Sequence, residues 1–413
     1  MLVELLARFR QMRRQRRRRH LFASLSTADA AALVQQAVPD PTRVLVLRND
    51  SIGDYLLFRP WLRQLSHVVR GRGQRLTLAA NALWAPLAQA WDGDVIDELL
   101  VVEFGRFTTD LTYRAAMLRR IGAGGYGEVI YPLHVREPTV ENFIRFMEAP
   151  VRVASQGEHH HDAWFTTLNA GYTQLLPTSR QVLFEYDRNG EFFGKWLTTV
   201  TAMASPLVLA SQAPTPSPEL DAPPLRLPLV VMATPSTASS SPYLVLFPGA
   251  SARQKRWPTK HFALLAVALH QRYAGHYRLV LAGSPGDATY ARQIQQAAGP
   301  GVPLENHCGQ TDLPGLAQLV AGAQLLISND TVAAHLAAQA GTPCLVLLMG
   351  ENYGKFFPYP PHLLRAACRC LFPPSQETRF AQGDFSPPAR DPDLRKIVPS
   401  RVLAAAEELL RPQ

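Results

Sequence analysis

Residues 44–54 read VLVLRNDSIGD, and this stretch decides the fold. The apolar run at 44–47 is short and uninterrupted, which is typical of a strand buried on both faces of a parallel sheet. A polar turn follows, and apolar residues at 56, 57, 61, 62 and 65 then recur at helical spacing. The stretch therefore predicts a strand, a loop and a helix, which together open a doubly wound α/β domain.

The same alternation runs along most of the chain and predicts two domains. We expect a first domain over 41–204, with strands at 76–79, 99–102 and 128–131. A second domain is expected over 243–399, with strands at 244–247, 278–282, 325–328 and 344–348 and helices that include 261–272. A final helix at 400–413 is expected to cross back. The predicted class is α/β with two Rossmann-like domains facing a central cleft, where ligands lie outside the carboxyl ends of the strands.

Composition agrees with a globular protein of this size. The 413 residues are 47% hydrophobic and 18% charged, which excludes a disordered chain and suits two cores. Residues 205–242 hold nine prolines and predict a linker. The chain has four cysteines, too few for a disulfide framework. Cys368 and Cys370 form a C-x-C pair without a matching second pair, so we predict no metal site and no cofactor.

Residues 1–20 differ from the rest of the chain in charge. They carry eight arginines against one glutamate, so +7 of the net charge of +9 lies there. Apolar residues at 2, 5, 6, 9 and 12 recur at helical spacing, a pattern typical of a helix lying on an anionic membrane. The alternatives are a solvated arm or a nucleic-acid contact, and we expect no nucleic-acid partner. We treat 1–40 as a basic amphipathic arm of a cytoplasmic protein, because the segment is no secretory signal.

Ser51, Gly53 and Asp54 lie where the first predicted strand ends and its helix begins. Gly53 permits a tight turn and a close backbone approach. The helix dipole and the free amides keep the Asp54 carboxylate ionised. Asp54 then suits either of two roles: a helix N-cap, or a general base that accepts a proton from an attacking hydroxyl.

The matching loop of the second domain reads PGAS at 248–251, with KRWP following at 255–258. Amides of such a turn and the hydroxyl of Ser251 suit phosphate oxygens. Lys255 suits a diphosphate leaving group, whose charge grows in the transition state. Lys255 and Arg256 also fit an ordinary solvated pair.

The segment SNDTVAAH at 328–335 runs from a strand end into a helix N-terminus, which is a ready anion site. The amides of Thr331 and Val332 are candidates for a phosphate, and His335 lies one turn further on the same face. Asp330 would repel a phosphate and is better suited to sugar hydroxyls. The alternative is that Asp330 caps the helix and His335 is a core residue.

Two further segments are weaker candidates. GSPGD at 283–287 ends another strand, and Asp287 suits a ribose hydroxyl. The histidines at 159–161 favour a loop that contacts an acceptor over a metal site, because neighbouring residues seldom converge on one ion.

These loops, in this order, resemble the lipopolysaccharide heptosyltransferase family (glycosyltransferase family 9, GT-B fold). The resemblance is carried by SIGD at 51–54, FPGAS at 247–251, KRWP at 255–258, NDT at 329–331, HLAA at 335–338 and GTP at 341–343. It implies inverting, metal-independent transfer from ADP-L-glycero-D-manno-heptose to a lipid-linked lipopolysaccharide core acceptor. The roles it implies are Asp54 as base, Lys255 and Ser251 on the diphosphate, Asp330 on the heptose, Thr331, Val332 and His335 on the phosphate, Asp287 on the ribose, and Ser51 and Gly53 on the acceptor side.

The sequence also departs from that family. Val332 replaces the usual glycine, Phe247 replaces the common histidine, and ENYGK at 351–355 stands where the family has a short Pro/Thr loop. A transferase for a different sugar or a protein acceptor, and a scaffold that kept the fold, remain alternatives. An NAD-type oxidoreductase is disfavoured, because no G-x-G-x-x-G follows the first strand of either domain.

Overall fold

The computed structural model describes residues 2–158, 163–204, 222–228, 241–388 and 392–411, so the histidines at 159–161 lie outside it. The first half of the chain contains α1 (Leu2–Ala32), β1 (Asp40–Arg48), α2 (Ile52–Gly71), β2 (Arg75–Asn81), α3 (Ala85–Asp92), β3 (Glu98–Val102), α4 (Phe104–Thr109), α5 (Leu111–Gly122), β4 (Tyr126–Tyr131), α6 (Pro138–Glu141), β5 (Val151–Ser155), α7 (Ala163–Asn169), β6 (Gln174–Leu176) and α8 (Glu185–Ala204). The second half contains β7 (Tyr243–Phe247), α9 (Thr259–Arg272), β8 (Arg278–Leu281), α10 (Ala288–Ala298), β9 (Leu304–Asn306), α11 (Leu313–Ala321), β10 (Leu325–Asn329), α12 (Val332–Ala340), β11 (Cys344–Leu347), β12 (Cys368–Leu371), α13 (Pro374–Ala381) and α14 (Pro399–Leu410).

The strands form two six-stranded sheets, with parallel pairing throughout. Their orders are β3-β2-β1-β4-β5-β6 and β12-β11-β10-β7-β8-β9. In each sheet the first three strands run in order from the centre to one edge, and the next three run in order from the centre to the other edge. The order therefore reverses between β1 and β4 and between β7 and β10, which is where doubly wound sheets bind ligands. The prediction of two Rossmann-like α/β domains is confirmed.

The apolar runs that predicted the strands are buried on both faces. Residues 44–47 of β1 and 244–246 of β7 are completely buried. This burial explains why these strands show continuous rather than alternating apolar residues. Each sheet has its own apolar core, and the core of the second includes side chains from α9, α10 and α14.

The described residues group into two compact units. The first is Met1–Ser51, Trp61–Arg180 and Arg188–Ala222, and the second is Ile52–Pro60, Gln181–Asp187 and Pro223–Gln413. The first turns of α2 are thus grouped with the second unit, and α2 contains Pro60 at the division. Helix α14 packs on α9 and the β10–β11 part of the second sheet.

From its composition we predicted that the basic N-terminal segment, 1–40, is a separate arm. The structure differs from this prediction. Its helix α1 continues to Ala32, and Leu25 and Leu33 are buried in the first unit. Asp29 is fully buried and pairs with Arg114, whose Nη2 lies 2.7 Å from Oδ2. The side chains of Arg16–Arg19 are exposed. The charged half of the helix is therefore continuous with a second half that packs into the first unit.

Residues 222–228, in the middle of the predicted linker, also make tertiary contacts. Leu225 and Leu227 are buried, and Arg59 Nη1 donates to the carbonyl of Arg226 at 2.8 Å. The hydroxyl of Tyr186 donates to the carbonyl of Pro223. Among the described helices, none is both long and apolar enough to cross a membrane.

Candidate active site

The loop after β1 is held by side chains from neighbouring strand ends of the first unit. Asn81 Nδ2 donates to the carbonyls of Asn49 and Asp50, at 3.0 and 2.9 Å. Trp84 Nε1 donates to the same Asp50 carbonyl at 3.1 Å, and the Tyr131 hydroxyl donates to Asn49 Oδ1 at 3.0 Å. The loop is therefore fixed before any ligand binds. One sequence signal could have identified two of these residues, because Asn81 and Tyr131 each end a strand next to β1.

Ser51 is the last residue of the first segment of the first unit, and its side chain is exposed. Asp54 lies in the first turn of α2, where the free amides and the helix dipole favour a carboxylate. Gly53, in the same turn, lies against the ring of His335. A Cβ at Gly53 would lie 2.9 Å from His335 Cδ2 and 3.0 Å from Nε2. This position therefore requires glycine because a buried ring lies against its backbone.

His335 lies on α12 and is only 5% exposed. Its Nδ1 is 2.8 Å from the Tyr359 hydroxyl, and its ring centroid is 4.8 Å from that of Phe357. Burial lowers the pKa of His335, although the negative charges of Asp330 and Asp54 act in the opposite direction. The imidazole is therefore neutral at neutral pH, and its orientation is set by Tyr359.

Lys255 stands between two carboxylates. Its Nζ lies 3.0 Å from Asp330 Oδ2 and 3.2 Å from Glu351 Oε1. Burial on its own would lower the pKa of Lys255, but the two carboxylates outweigh it and the pKa is raised. Lys255 and Asp330 were both predicted site residues, and the structure brings them together. Glu351 was noted only as a departure from the family pattern, so its position beside Lys255 is new.

Asn329 joins the two predicted donor loops of the second unit. Its side chain is fully buried, and Nδ2 donates to the carbonyls of Pro248 and Gly249 at 2.8 and 3.2 Å. Its Oδ1 accepts from the backbone N–H of Trp257 at 3.0 Å. Trp257 Nε1 in turn donates to the carbonyl of Ile397 at 2.8 Å. One amide side chain thus ties the loop after β7 to the end of β10.

The other donor-side candidates lie around the same strand ends. Ser251 is exposed in the loop after β7. Thr331 is the N-cap residue of α12 in extended conformation, and its Oγ1 lies 2.9 Å from Ser328 Oγ. Val332 is the first residue of that helix, so its amide is among those left without an intrahelical acceptor. These groups suit an anion at the start of α12.

Asp287 has a structural partner that the sequence did not reveal. Its Oδ2 accepts from the Ser284 amide at 3.0 Å and from the Ser284 hydroxyl at 2.6 Å. A Cβ at Gly249 would lie 2.5 Å from the same oxygen. Asp287 is therefore fixed within the loop after β8 and packs closely against Gly249 of the loop after β7, while its other oxygen lies 4.0 Å from Arg256 Nη2.

A small recess opens beside Lys255 in the second unit. We call it the acidic recess, and its lining includes Lys255, Asp330, Glu351, Tyr353, Phe356 and Phe372.

Within the described ranges, no group of three or more His, Cys, Asp or Glu side chains is arranged to hold a metal ion. Cys368 pairs in register with Cys344 on β11, and these thiols are free.

The comparisons with known proteins agree with this fold and these loops. Residues 207–367 match the model of glycosyltransferase family 9 (heptosyltransferase). The chain is 32% identical over 178 residues to lipopolysaccharide heptosyltransferase 2 of Salmonella typhimurium, covering 42% of this chain and 49% of that protein. It is also 32% identical over 133 residues to lipopolysaccharide heptosyltransferase 2 of Escherichia coli, covering 32% and 37%. The matched segments thus span less than half of these relatives.

Two solved structures extend the likeness of fold across both units. The family 9 glycosyltransferase of Veillonella parvula superposes with a TM-score of 0.62 at 19% identity, covering 91% of this chain and 99% of that one. The E. coli heptosyltransferase WaaC with ADP-2-deoxy-2-fluoro heptose gives a TM-score of 0.59 at 19% identity, covering 89% and 99%. The fold is that of the GT-B glycosyltransferases. Residues 207–367 are thus similar in sequence to glycosyltransferase family 9, the heptosyltransferase family, and the solved structures extend the similarity of fold to both units.

Proposed function

We propose that the chain transfers a heptose from ADP-heptose to a lipopolysaccharide core or related envelope-glycan acceptor. The observation that carries this proposal is the contact of Lys255 with Asp330, which puts a cation and a carboxylate together at the switch point between β7 and β10. A cation there suits a diphosphate, and a carboxylate beside it suits sugar hydroxyls. The names of the curated relatives supply the transferred heptose and the lipopolysaccharide acceptor, and a solved structure of similar fold holds ADP-2-deoxy-2-fluoro heptose.

On the donor side, Lys255 and Ser251 bind the diphosphate, and the amides of Thr331 and Val332 hold a phosphate at the start of α12. Lys255 stabilises the leaving group as its charge grows. His335 is neutral and therefore serves as a hydrogen-bonding group rather than a cation. Asp330 holds the heptose, and Asp287, already fixed by Ser284, offers its second oxygen to the ribose.

On the acceptor side, Asp54 accepts the proton of the attacking hydroxyl, while Ser51 and Gly53 line the approach. A single displacement by that hydroxyl inverts the anomeric centre. In this scheme the positive charge needed by the leaving group comes from Lys255 and the helix amides, so the transfer runs without a metal.

Ligand-induced thermal stabilisation tests the donor class. The protein is screened against ADP-, UDP- and GDP-sugars, since a ligand at 100 times its Kd stabilises the folded state by about 2.7 kcal/mol. We expect stabilisation by ADP-heptose, and a preference for UDP-sugars would refute the heptose assignment. A different sugar donor or a protein acceptor would emerge from the same screen followed by transfer assays. Binding of no nucleotide sugar would favour a scaffold that only retains the fold.

Two variants test the catalytic roles. Asp54→Asn is expected to abolish transfer while the Kd for ADP stays unchanged, because the base acts on the acceptor alone. Lys255→Met is expected to weaken ADP binding and to slow transfer as well. Normal turnover by Asp54→Asn would remove Asp54 from its role, and unchanged ADP affinity in Lys255→Met would place the diphosphate elsewhere.

We also propose that α1 contacts an anionic membrane from the cytoplasmic side. Arg16–Arg19 are exposed, and the buried Leu25 and the Asp29–Arg114 pair hold the helix in place behind them. Each arginine near an anionic surface contributes about 1 kcal/mol. Removal of residues 1–20 leaves the anchoring residues intact.

A variant that keeps residues 1–20 but has Arg16–Arg19 changed to glutamine is the second test, because it removes charge without shortening the helix. Both proteins are expected to lose sedimentation with anionic vesicles at low salt while keeping ADP binding. Vesicle binding equal to that of the intact chain would exclude the membrane contact.

A further inference from the structure

Charged and aromatic side chains both line the acidic recess. The charged residues are Lys255, Asp330 and Glu351, and the aromatic residues include Tyr353, Phe356 and Phe372. Aromatic faces suit the C–H faces of a sugar, and carboxylates accept hydrogen bonds from its hydroxyl groups.

The charges of the recess are unbalanced. Lys255 carries one positive charge and is shared by two carboxylates, Asp330 and Glu351, so the three groups together carry a net negative charge. A diphosphate that binds Lys255 competes with these carboxylates for its N–H groups. Any carboxylate released from Lys255 then stands beside an anion, which is unfavourable unless it gains new hydrogen-bond donors.

A nucleotide sugar and a free nucleoside diphosphate differ in the hydrogen-bond donors that they bring to Glu351 and in their negative charge. The sugar brings hydroxyl donors for a released carboxylate. Esterification also removes one ionisable oxygen from the terminal phosphate, so the nucleotide sugar has less negative charge to be repelled. Free ADP brings more charge and no sugar hydroxyls to this place. Glu351 is more exposed than Asp330, at 31% against 21%, so it is the carboxylate that yields more readily.

We propose that Glu351 is a specificity-determining residue that favours the nucleotide sugar over the free nucleoside diphosphate. It accepts hydrogen bonds from sugar hydroxyls in the donor complex and repels the diphosphate product after transfer. This inference rests on the proposed function, since it assumes that Lys255 binds the donor diphosphate. It assigns a role to the segment at 351–355 that departs from the family pattern.

Calorimetric titration of ADP and ADP-heptose into Glu351→Gln tests this role. Glutamine keeps the size of the side chain and removes its charge. We expect ADP to bind about tenfold more tightly than to the wild type, because the repulsion between Glu351 and the diphosphate is lost. ADP-heptose affinity is expected to change by less than about threefold, since lost repulsion and weakened hydroxyl contacts oppose each other. Equal changes for both ligands, or none, would overturn the inference.

Glu305→Gln is the matched control. Glu305 is 35% exposed and paired with Arg278, but it does not line the acidic recess. Its affinities for both ligands are expected to equal those of the wild type. A thermal unfolding curve for each variant shows that it is folded before titration.

The outcomes separate this inference from the proposed function. If the wild type prefers a UDP- or GDP-sugar, the heptose assignment fails, and the same comparison made with that nucleotide sugar and its free diphosphate still decides the role of Glu351. If the wild type binds no nucleotide, both proposals fail.

Discussion

The contact between Gly53 and His335 allows a quantitative test of the site. A methyl group at Gly53 would lie 2.9 Å from His335 Cδ2, closer than side-chain atoms pack. The ring has little room to yield, because Tyr359 holds Nδ1 at 2.8 Å and Phe357 packs on it. Overpacking of this kind costs about 1–3 kcal/mol. Alanine in a helix regains up to about 1 kcal/mol relative to glycine, so Gly53→Ala should destabilise the protein by about 1–2 kcal/mol.

Thermal unfolding and ADP titration measure this effect. A loss of 1–2 kcal/mol should lower the Tm of the second unit by roughly 2–8 °C, and displacement of His335 should weaken ADP binding. Gly71→Ala is the control, because it lies in the same helix and a Cβ there meets nothing within 4 Å. The double variant Gly53→Ala/His335→Ala should recover part of the loss, with a coupling energy above about 0.5 kcal/mol. Unchanged Tm and ADP affinity in Gly53→Ala would refute the reasoning.

Three further predictions concern stability. Asp29→Ala leaves the buried guanidinium of Arg114 without its carboxylate, so it should cost about 3–5 kcal/mol in a denaturant melt, whereas a loss under 1 kcal/mol would mean that the pair is not buried. Gly249→Ala places a methyl group 2.5 Å from the braced Asp287 carboxylate and should cost about 1–3 kcal/mol, which a melt of the purified variant can check. The pKa of His335 is lowered by burial below its unfolded value of 6.5, so its contribution to stability is present above pH 6.5 and is lost as the pH falls through the folded pKa. Between pH 6.5 and the folded pKa, the loss of unfolding free energy caused by His335→Asn should therefore shrink by up to about 1.4 kcal/mol per pH unit. A loss that stays constant with pH would show that His335 does not titrate with a lowered pKa.

The prediction from the sequence that Lys255 and Asp330 lie close together has a physical basis. Both follow strands that were recognisable as short apolar runs, and the carboxyl ends of parallel strands lie at one edge of a sheet. Glu351 follows another such strand, β11, but nothing in its local pattern showed that its carboxylate turns toward Lys255. That direction depends on the path of the loop after β11.

For the N-terminal helix, the sequence led to a wrong prediction. Its composition suggested a separate arm, because arginines outnumber every other residue type in 1–20. The residues that attach it, Leu25 and Asp29, have unremarkable neighbours in the sequence. Their importance comes from burial against α5 and from Arg114, which lies 85 positions further along the chain.

By itself the sequence determined the two parallel sheets and the strand-end loops, because continuous apolar runs and the helical period that follows them are local properties of the chain. Only the tertiary structure decided which side chains of those loops contact one another. It showed that Asn329 ties two loops together, that Asp287 is braced by Ser284, and that Gly53 is needed beside a buried ring. The physical reason is that periodicity records which residues are buried, whereas hydrogen bonds and close contacts depend on side-chain direction between segments far apart in the chain.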